Sequence, residues 1–238
     1  MEQIYNELKA LHLTGMAESW KLMQETRKTR EVTLQDGLSL LLQAERTHRE
    51  NSRTERLLRK ARFRYNATFP QIDFDSTRGK DRDRIMLIGT CEYIRQGTSM
   101  LVTGPAGTGK SFLITAFGHQ ACINGYSTFY INMSKLMELL KLKRLEGKIS
   151  KLFDKLAAID LLIIDDFGMR KLDGQQLQDF MEIMEDRHGR RSTIIASQLP
   201  VSNWYDVLEN NKTIADAILD RIVRTSYRFE LKGDSLRK

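Results

Sequence analysis

Residues 99–111 read SMLVTGPAGTGKS, a short apolar run that leads into a glycine-rich loop. The apolar run is typical of a buried strand, and from residue 104 the loop matches G-x-x-x-x-G-K-S/T at every specified position. Glycines at these positions let the backbone turn tightly and direct its N–H groups toward phosphate oxygens. Residues 111–123 are predicted to form a helix whose N-terminus faces the same anion. We therefore predict a strand, a phosphate-binding loop and a helix in succession.

The loop predicts a site for a nucleoside triphosphate such as ATP. Lys110 is placed to give a cation to the β and γ phosphates, and the Ser111 hydroxyl is predicted to be a ligand of Mg²⁺. The expected nucleotide-binding residues are Gly104, Pro105, Ala106, Gly107, Thr108, Gly109, Lys110 and Ser111. A chance match to the pattern is the alternative, but the strand before the loop and the helix after it favour a phosphate site.

A second apolar run ends in two carboxylates. Residues 161–164 are apolar at consecutive positions, as in a central parallel strand, and Asp165 and Asp166 follow. The carboxyl ends of parallel strands share one edge of a sheet, which places both carboxylates beside the loop. We predict that Asp165 holds Mg²⁺ and that Asp166 polarises the attacking water. The alternative is that an aspartate here caps the next helix.

Further apolar runs at residues 127–131, 192–196 and 227–231 alternate with helical stretches, as in an α/β domain built on a parallel sheet. The last run is compatible with an edge strand or with an arm of a β-hairpin. The run at 192–196 leads into Ser197 and Gln198, which a parallel sheet places at the edge that carries the loop. We predict that Gln198 orients water near the γ-phosphate, with an ordinary role in the loop as an equal alternative.

The N-terminal part of the chain has a different pattern. Apolar residues recur at helical spacing as far as about residue 65, and Thr33 or Ser39 is expected to cap a helix there. Residues 69–80 contain the Pro, Gly, Asp and Ser/Thr residues of a linker. We predict a small all-α domain over residues 1–66 and a nucleotide-binding α/β domain over residues 67–238.

The formal net charge of +7 suits an anionic partner, with nucleic acid favoured over a membrane surface. The N-terminal domain carries a basic stripe, which we define as Arg46, Arg49, Arg53, Arg56 and Lys60. Spacings of three and four residues put all five on one face of a helix, and arginine suits contacts with phosphates. A solvated helix face is the alternative, but such a face usually mixes the two signs of charge more evenly.

A second basic cluster follows the predicted strand at 127–131. We define this cluster as Lys141, Lys143, Arg144 and Lys148, and Lys151 and Lys155 extend it along the sequence. Its signal is weaker than that of the stripe because acidic residues such as Glu146 interrupt it. The sequence has no zinc-finger or RNA-binding aromatic pattern, so we expect double-stranded DNA to bind through its phosphates with little sequence preference.

The remaining bulk features bound the location of the protein. Cys91 and Cys122 fit neither a disulfide framework nor a zinc pattern, so we expect both to be reduced and buried, as in a cytoplasmic protein. The first residues lack the basic and apolar regions of a signal peptide. No apolar stretch approaches the roughly 18 residues of a membrane span, so we predict no membrane association.

A predicted helix near the C-terminus carries a candidate catalytic arginine. Arg221 lies within residues 216–222, and oligomeric nucleoside triphosphatases commonly insert an arginine into the site of the neighbouring subunit. The residues themselves favour a more ordinary role, an intrahelical ion pair with Asp216 or Asp220.

Taken together, these residues resemble the IstB-type ATPases, which are helper proteins of insertion-sequence transposition. The family is related to the bacterial helicase loader and replication initiator within the AAA+ superfamily. The specific matches are the N-terminal signature at residues 8–18 and the tail at residues 233–237, whereas the phosphate loop is shared by many families. The resemblance implies an AAA+ P-loop fold with a helical N-terminal domain for DNA binding and assembly. It also implies ATP-dependent homo-oligomers on duplex DNA, with shared ATP sites and a transposase as partner.

The resemblance also implies roles for individual residues. By position, Arg221 matches the arginine finger that acts on the next subunit, and Arg237 matches the second sensor, which reaches the γ-phosphate. Gln198 takes the place of the first sensor, which is usually Asn. The second basic cluster lies where the initiator group carries an extra helix that contacts DNA.

Some positions depart from the family pattern. Asp166 stands where the family usually has Glu, Gln198 is longer than the usual Asn, and Leu236 replaces a Tyr. The first two departures alter the geometry of the attacking water. We therefore predict slow ATP hydrolysis that DNA or a partner stimulates.

Rival interpretations share part of this pattern. A helicase loader has the same ATPase core, but residues 8–18 resemble the transposition helpers instead. A small-molecule kinase leaves the basic stripe unexplained. A nucleotide-gated binding module without meaningful hydrolysis remains compatible with Asp166.

Overall fold

The computed structural model describes residues 2–26, 32–208, 211–224 and 226–236. The chain divides into two compact units, Met1–Arg56 and Leu57–Lys238. The helices are α1 Glu2–Ala10, α2 Thr14–Glu25, α3 Leu34–Ala61, α4 Arg82–Gly89, α5 Glu92–Arg95, α6 Lys110–Ile123, α7 Met133–Leu145, α8 Ile149–Ala158, α9 Gly174–Arg187, α10 Trp204–Leu208 and α11 Lys212–Val223. The strands are β1 Met100–Thr103, β2 Thr128–Asn132, β3 Leu161–Phe167, β4 Ser192–Ser197 and β5 Tyr227–Glu230.

The N-terminal unit is helical, as its apolar spacing predicts. Glu45 of α3 is buried, and its carboxylate accepts hydrogen bonds from the backbone N–H groups of Gly15 (2.8 Å) and Met16 (3.2 Å) in the first turn of α2. A Cβ atom on Gly15 would lie 2.6 Å from the carbonyl oxygen of Ala44, so glycine is required where the two helices meet. The predicted cap at Thr33 is confirmed, because its hydroxyl accepts the N–H of Asp36 at 3.2 Å.

The second unit contains a five-stranded sheet in the order β2-β3-β4-β1-β5. Every neighbouring pair in the sheet is parallel. The strand β5 pairs with β1 in parallel, with Met100 opposite Tyr227, so the last run is an edge strand and the hairpin alternative is wrong. The order places β1, and therefore the loop that follows it, between β4 and β5.

Both faces of the sheet are covered by helices, which explains why β3 is apolar at consecutive positions. Leu162 and Ile164 point into a core that includes Leu136 of α7 and Leu177 of α9. Leu161 and Ile163 of the same strand belong to the opposite core, with Leu113 of α6 and Ile85 of α4. The predicted α/β architecture with a central parallel sheet is confirmed.

The unit that carries the sheet begins at Leu57, ahead of the start predicted at residue 67. Phe63 explains the difference, because this side chain packs against the core on the α6 side of the sheet. Its ring lies edge-on to that of Tyr130, with centroids 6.4 Å apart. A Cβ atom on Gly118 of α6 would meet the Phe63 ring at 2.6 Å, so the glycine makes room for it.

Two expectations from composition bear on the same unit. Cys91 and Cys122 are both free and buried, as predicted, and burial raises the pKa of the Cys91 thiol to about 11. Among the helices of the described ranges, none is long and apolar enough to cross a membrane.

Candidate functional site

The phosphate loop connects β1 to α6 and has the conformation that its glycines predict. Gly104, Gly107 and Gly109 all have positive φ angles, of 146°, 82° and 93°. Lys110 begins α6 and is buried, and its Nζ atom donates hydrogen bonds to the carbonyl oxygens of Gly104 (2.6 Å) and Pro105 (2.7 Å). The ammonium group therefore lies within the curve of the loop, where the phosphates of a nucleotide bind.

The C-terminal tail lies against this loop. A Cβ atom on Gly104 would lie 2.3 Å from the carbonyl oxygen of Leu231, and one on Gly107 would lie 2.2 Å from Oγ of Ser235. The backbone N–H of Leu236 donates to the carbonyl oxygen of Gly107 at 2.9 Å. These glycines are thus required by close packing as well as by φ. Arg237, the predicted second sensor, lies outside the described residues.

Both predicted carboxylates belong to β3, which extends to Phe167. Asp165 is 1% exposed, and its Oδ1 atom accepts the backbone N–H of Asp166 at 2.8 Å. The Oδ2 atom of Asp165 accepts the hydroxyl of Tyr130 at 2.5 Å, and burial together with this carboxylate raises the pKa of Tyr130. Neither aspartate caps a helix, because the next helix, α9, is capped by Asp173.

Asp166 is held in an uncommon backbone conformation. Its φ of 56° is left-handed, and the register between β3 and β4 shifts at this point. Asn132, at the end of β2, donates from Nδ2 to Oδ2 of Asp166 at 2.6 Å. Burial raises the pKa of the Asp166 carboxyl, and the charge of Asp165 adds to the rise, whereas Arg64 and Lys110 oppose it. Arg64, which follows the basic stripe in the sequence, thus acts electrostatically on a predicted catalytic residue.

A cavity of about 460 Å³, a volume within the range of ligand sites, joins the phosphate loop to Asp166, whereas Asp165 does not line it. From the predicted site it is lined by Ala106, Gly107, Gly109, Lys110, Ser111, Asp166 and Gln198. Its other walls come from Tyr65, Gln71, Ile72, Asp73, Lys80, Phe112, Leu113 and Leu236. The cavity therefore combines a phosphate end with a more apolar region that suits a nucleoside.

Lys80 is a residue of this cavity that the sequence patterns did not indicate. It is 7% exposed, and its side chain makes no hydrogen bond or ion pair within the described part of the chain. Because the side chain lines the cavity, an anionic ligand there would give its ammonium group a partner. Its sequence signal is weak, since a lysine in a polar linker is usually solvated.

Ser197 and Gln198 have different roles at the end of β4. Ser197 is fully buried, and its hydroxyl donates to the carbonyl oxygen of Phe167 (2.7 Å) and accepts the N–H of Leu199 (3.0 Å). Those contacts give Ser197 a structural role. Gln198 is half-buried and lines the cavity, which is the location predicted for it.

The residues available to Mg²⁺ fit that ion. Ser111 lines the cavity next to Lys110, and Asp165 is a buried carboxylate that directly precedes Asp166, which also lines the cavity. No group of three or more His, Cys, Asp or Glu side chains suited to a metal occurs among the described residues. Mg²⁺ is typically held by one or two protein oxygens together with nucleotide phosphates and water. Ser111 and Asp165 are two residues that supply such oxygens.

Arg221 does not line the cavity of its own chain. Its Nε atom forms an ion pair with Glu185 of α9, and one guanidinium nitrogen donates to the carbonyl oxygen of Ala217 at 2.9 Å. The expected intrahelical pair with Asp216 or Asp220 is not formed, since Asp220 pairs with Arg224 at 2.9 Å. A partner on another helix escaped the sequence reasoning because Glu185 is distant along the chain.

The two basic surfaces differ in their partners. All five residues of the basic stripe are exposed on α3, although Arg49 pairs with Glu45 at 2.7 Å. In the second cluster, Lys143 and Lys148 pair with Glu146, and Arg144 pairs with Asp179 of α9. Only Lys141 of that cluster makes no ion pair within the described ranges.

Comparison with known proteins gives the family of the chain. Residues 6–238 match the family model described as IstB-like ATP binding protein. The insertion sequence ATP-binding protein y4pL of Sinorhizobium fredii is 39% identical over 233 residues, which cover 98% of this chain and 95% of that protein. The insertion sequence IS5376 ATP-binding protein of Geobacillus stearothermophilus is 30% identical over 236 residues, covering 99% and 94% of the two chains.

Solved structures support the fold. The crystal structure of the DnaC helicase loader superposes with a TM-score of 0.59 at 20% identity and covers 71% of this chain and 98% of that one. The crystal structure of DnaI gives a TM-score of 0.61 at 19% identity, with 70% and 92% of the chains covered. At these identities the likeness shows the fold alone, an AAA+ P-loop fold. With the match over residues 6–238, the chain belongs to the IstB-like ATP-binding protein family.

Proposed function

We propose that this protein is an AAA+ ATPase that assembles on duplex DNA in its ATP-bound state and assists a transposase. The observation that carries the proposal is the single cavity that brings Lys110, Ser111, Asp166 and Gln198 together. Relatives that match nearly the whole chain are named insertion sequence ATP-binding proteins. An ATP site in a protein of that context suggests nucleotide-controlled action on DNA rather than small-molecule chemistry.

ATP binding requires a rearrangement of Lys110. In the described structure its ammonium donates to the carbonyl oxygens of Gly104 and Pro105. The ammonium exchanges these partners for oxygens of the β and γ phosphates, which are charged and therefore form stronger hydrogen bonds. Ser111 and Asp165 would hold Mg²⁺, which would supply positive charge beside the phosphates.

Hydrolysis depends on Asp166 as a proton acceptor for water. Its raised pKa improves an aspartate as a general base near neutral pH. The hydrogen bond from Asn132 holds Oδ2 of this carboxylate, so Asp166 must release or share that contact to reach water. This constraint and the short side chain of Asp166 support the prediction of slow hydrolysis without a partner.

Arg221 suggests that the ATP site is shared between subunits. Its side chain pairs with Glu185 and is not part of its own cavity. We infer that it acts on the nucleotide of a neighbouring protomer in a homo-oligomer, as arginine fingers do. ATP then stabilises the interface between protomers as well as the fold of each one.

DNA binding is assigned first to the basic stripe. Its exposed guanidinium groups are accessible to phosphates along one helix face. The second cluster contributes less, because Lys143, Arg144 and Lys148 must give up carboxylate partners to bind DNA. A helicase loader remains the alternative function, supported by the shared fold, but the named relatives favour the insertion-sequence role.

The proposal is tested by mixing the protein with duplex DNA and ATP, ADP or a non-hydrolysable ATP analogue. Electron microscopy and light scattering follow assembly, and phosphate release follows hydrolysis. We expect ATP-dependent oligomers on DNA and hydrolysis that DNA accelerates. The Lys110→Ala variant is the control, since it keeps the basic stripe and lacks the phosphate cation. Nucleotide-independent monomers, or a high rate of hydrolysis without DNA, would contradict the proposal.

A further inference from the structure

The carboxylate of Asp165 needs hydrogen-bond donors because it is 1% exposed. Within the described ranges it has one donor to each oxygen: the backbone N–H of Asp166 to Oδ1, and the hydroxyl of Tyr130 to Oδ2 at 2.5 Å. The backbone N–H of residue 166 is present whatever side chain that residue carries. Tyr130 is therefore the side chain that fixes the plane of this carboxylate.

Tyr130 is itself held rigidly in place. It lies in the middle of β2 and pairs in register with Ile163 of β3, two residues before Asp165. Its ring is buried and packs edge-on against Phe63. Strand pairing and ring packing together leave the hydroxyl one position, which is within hydrogen-bond distance of Oδ2.

The type of donor matters as much as its position. A lysine or arginine at this point would neutralise the charge of Asp165 and compete with a divalent cation. A tyrosine hydroxyl orients the carboxylate through one hydrogen bond and leaves its negative charge available. Each carboxylate oxygen has a second lone pair, so Oδ2 can still accept from Tyr130 while the group faces a metal or its water.

We propose that Tyr130 is the positioning residue that sets the affinity of the ATP site for Mg²⁺. It acts through Asp165, in the way that hydrogen-bonded partners orient metal ligands elsewhere. This inference rests on the proposed function, since it requires a magnesium nucleotide at Ser111 and Asp165. It adds a second residue of β2, beside Asn132, to the groups that hold the carboxylates of this site.

The test is the Tyr130→Phe variant, which keeps the ring and removes the hydroxyl. A fluorescent ATP analogue is titrated with the full-length protein over a series of Mg²⁺ concentrations, and again in EDTA. We expect the half-saturating Mg²⁺ concentration to rise about tenfold, within the usual effect of such partners. Affinity in EDTA should stay unchanged, because Tyr130 does not line the cavity.

Tyr93→Phe is the matched control. Tyr93 is also buried, but its hydroxyl has no hydrogen-bond partner in the described structure, so its loss should not move the Mg²⁺ titration. If Tyr130→Phe does not fold, Phe63→Leu replaces it, since it loosens the Tyr130 ring and should raise the Mg²⁺ requirement by a smaller factor.

The outcomes separate the two proposals. Wild-type protein that binds the analogue without any dependence on Mg²⁺ contradicts the magnesium ATP site itself. Wild-type protein that depends on Mg²⁺, with Tyr130→Phe indistinguishable from it, overturns the role of Tyr130 alone. Equal shifts in Tyr130→Phe and Tyr93→Phe also overturn it, because loss of a buried hydroxyl would then act without specificity.

Discussion

The nucleotide cavity and the basic stripe both gather charged side chains, yet they hold them in opposite ways. In the cavity, Lys110 is buried and Asp166 half-buried, and each has assigned hydrogen-bond partners on surrounding elements. On the stripe the cations are exposed along one face of α3. An interaction with a buried charge contributes more free energy than one with a solvated charge. One substitution in the cavity should therefore impair ATP binding, whereas several are needed in the stripe to impair DNA binding.

Among substitutions in the cavity, Lys110→Ala should have the largest effect on ATP binding. The variant loses charge-assisted hydrogen bonds to two phosphates, together worth ~4 kcal/mol, so ATP should bind about 1000-fold more weakly. Isothermal titration calorimetry measures the affinity. Binding of short duplex DNA without nucleotide should be unchanged, because the basic stripe is intact. ATP affinity within a few-fold of the wild type would contradict the assignment of the phosphate loop.

Asp166→Asn separates hydrolysis from binding within the same cavity. Removal of the general base should slow phosphate release about 100-fold, while ATP still binds. Asp173→Asn is the matched control, since asparagine preserves the cap of α9 and leaves the cavity untouched. Phosphate release that is equal in both variants would remove Asp166 from the mechanism, whereas no release above background from the wild type would favour the nucleotide-gated binding module.

The cavity also shows how far sequence patterns reach. The loop, the strand order along the chain and the pair Asp165 and Asp166 follow local rules, so the pattern predicts them. Asn132 and Tyr130 contact those carboxylates from β2, and only the pairing of β2 with β3 reveals it. An asparagine at the end of an apolar run was the available signal, since parallel strands end at one edge.

The remaining discrepancies have the same physical origin. Arg221 pairs with Glu185 across two helices, and Phe63 joins the core of the sheet unit, which moves the start of that unit to Leu57. Such contacts join residues far apart in sequence, and neither charge spacing nor apolar periodicity encodes them. The left-handed φ of Asp166 is likewise set by the sheet around it, since a bulge there lets β3 run on to Phe167.

Several substitutions made at once test the role of the basic stripe in DNA binding. Arg49 stays in place because it pairs with Glu45, which binds the first turn of α2. Replacement of Arg46, Arg56 and Lys60 with Ala should weaken DNA binding about tenfold near physiological salt, whatever the sequence. The slope of log affinity against log salt should fall by about three, one for each lost phosphate contact.

The second cluster provides a control of equal charge. Replacing Lys143, Arg144 and Lys148 with Ala removes the same three charges from residues that already have carboxylate partners. Fluorescence anisotropy with duplex DNA should therefore show a much smaller change in the salt slope. Equal slopes for the two triple variants would mean that net charge, and not the face of α3, determines binding.

Lys80 shares features with both the cavity and the basic stripe, and its substitution has the smallest expected effect. Its side chain is buried and lines the cavity, but it makes no hydrogen bond or ion pair within the described residues. Its ammonium is free to donate to a nucleotide. Lys80→Met keeps the apolar stem and should weaken ATP binding about fivefold, the value of ~1 kcal/mol for one net hydrogen bond.

The part of the nucleotide that Lys80 contacts can be tested. It lines the cavity together with Gln71, Ile72 and Asp73 of the preceding linker, and we predict that this linker contacts the nucleoside rather than the phosphates. Lys80→Met should then lose affinity for ATP while its affinity for inorganic triphosphate stays at the wild-type value. Equal losses for both ligands would move Lys80 to the phosphate end, where it would reinforce Lys110 as a second buried cation.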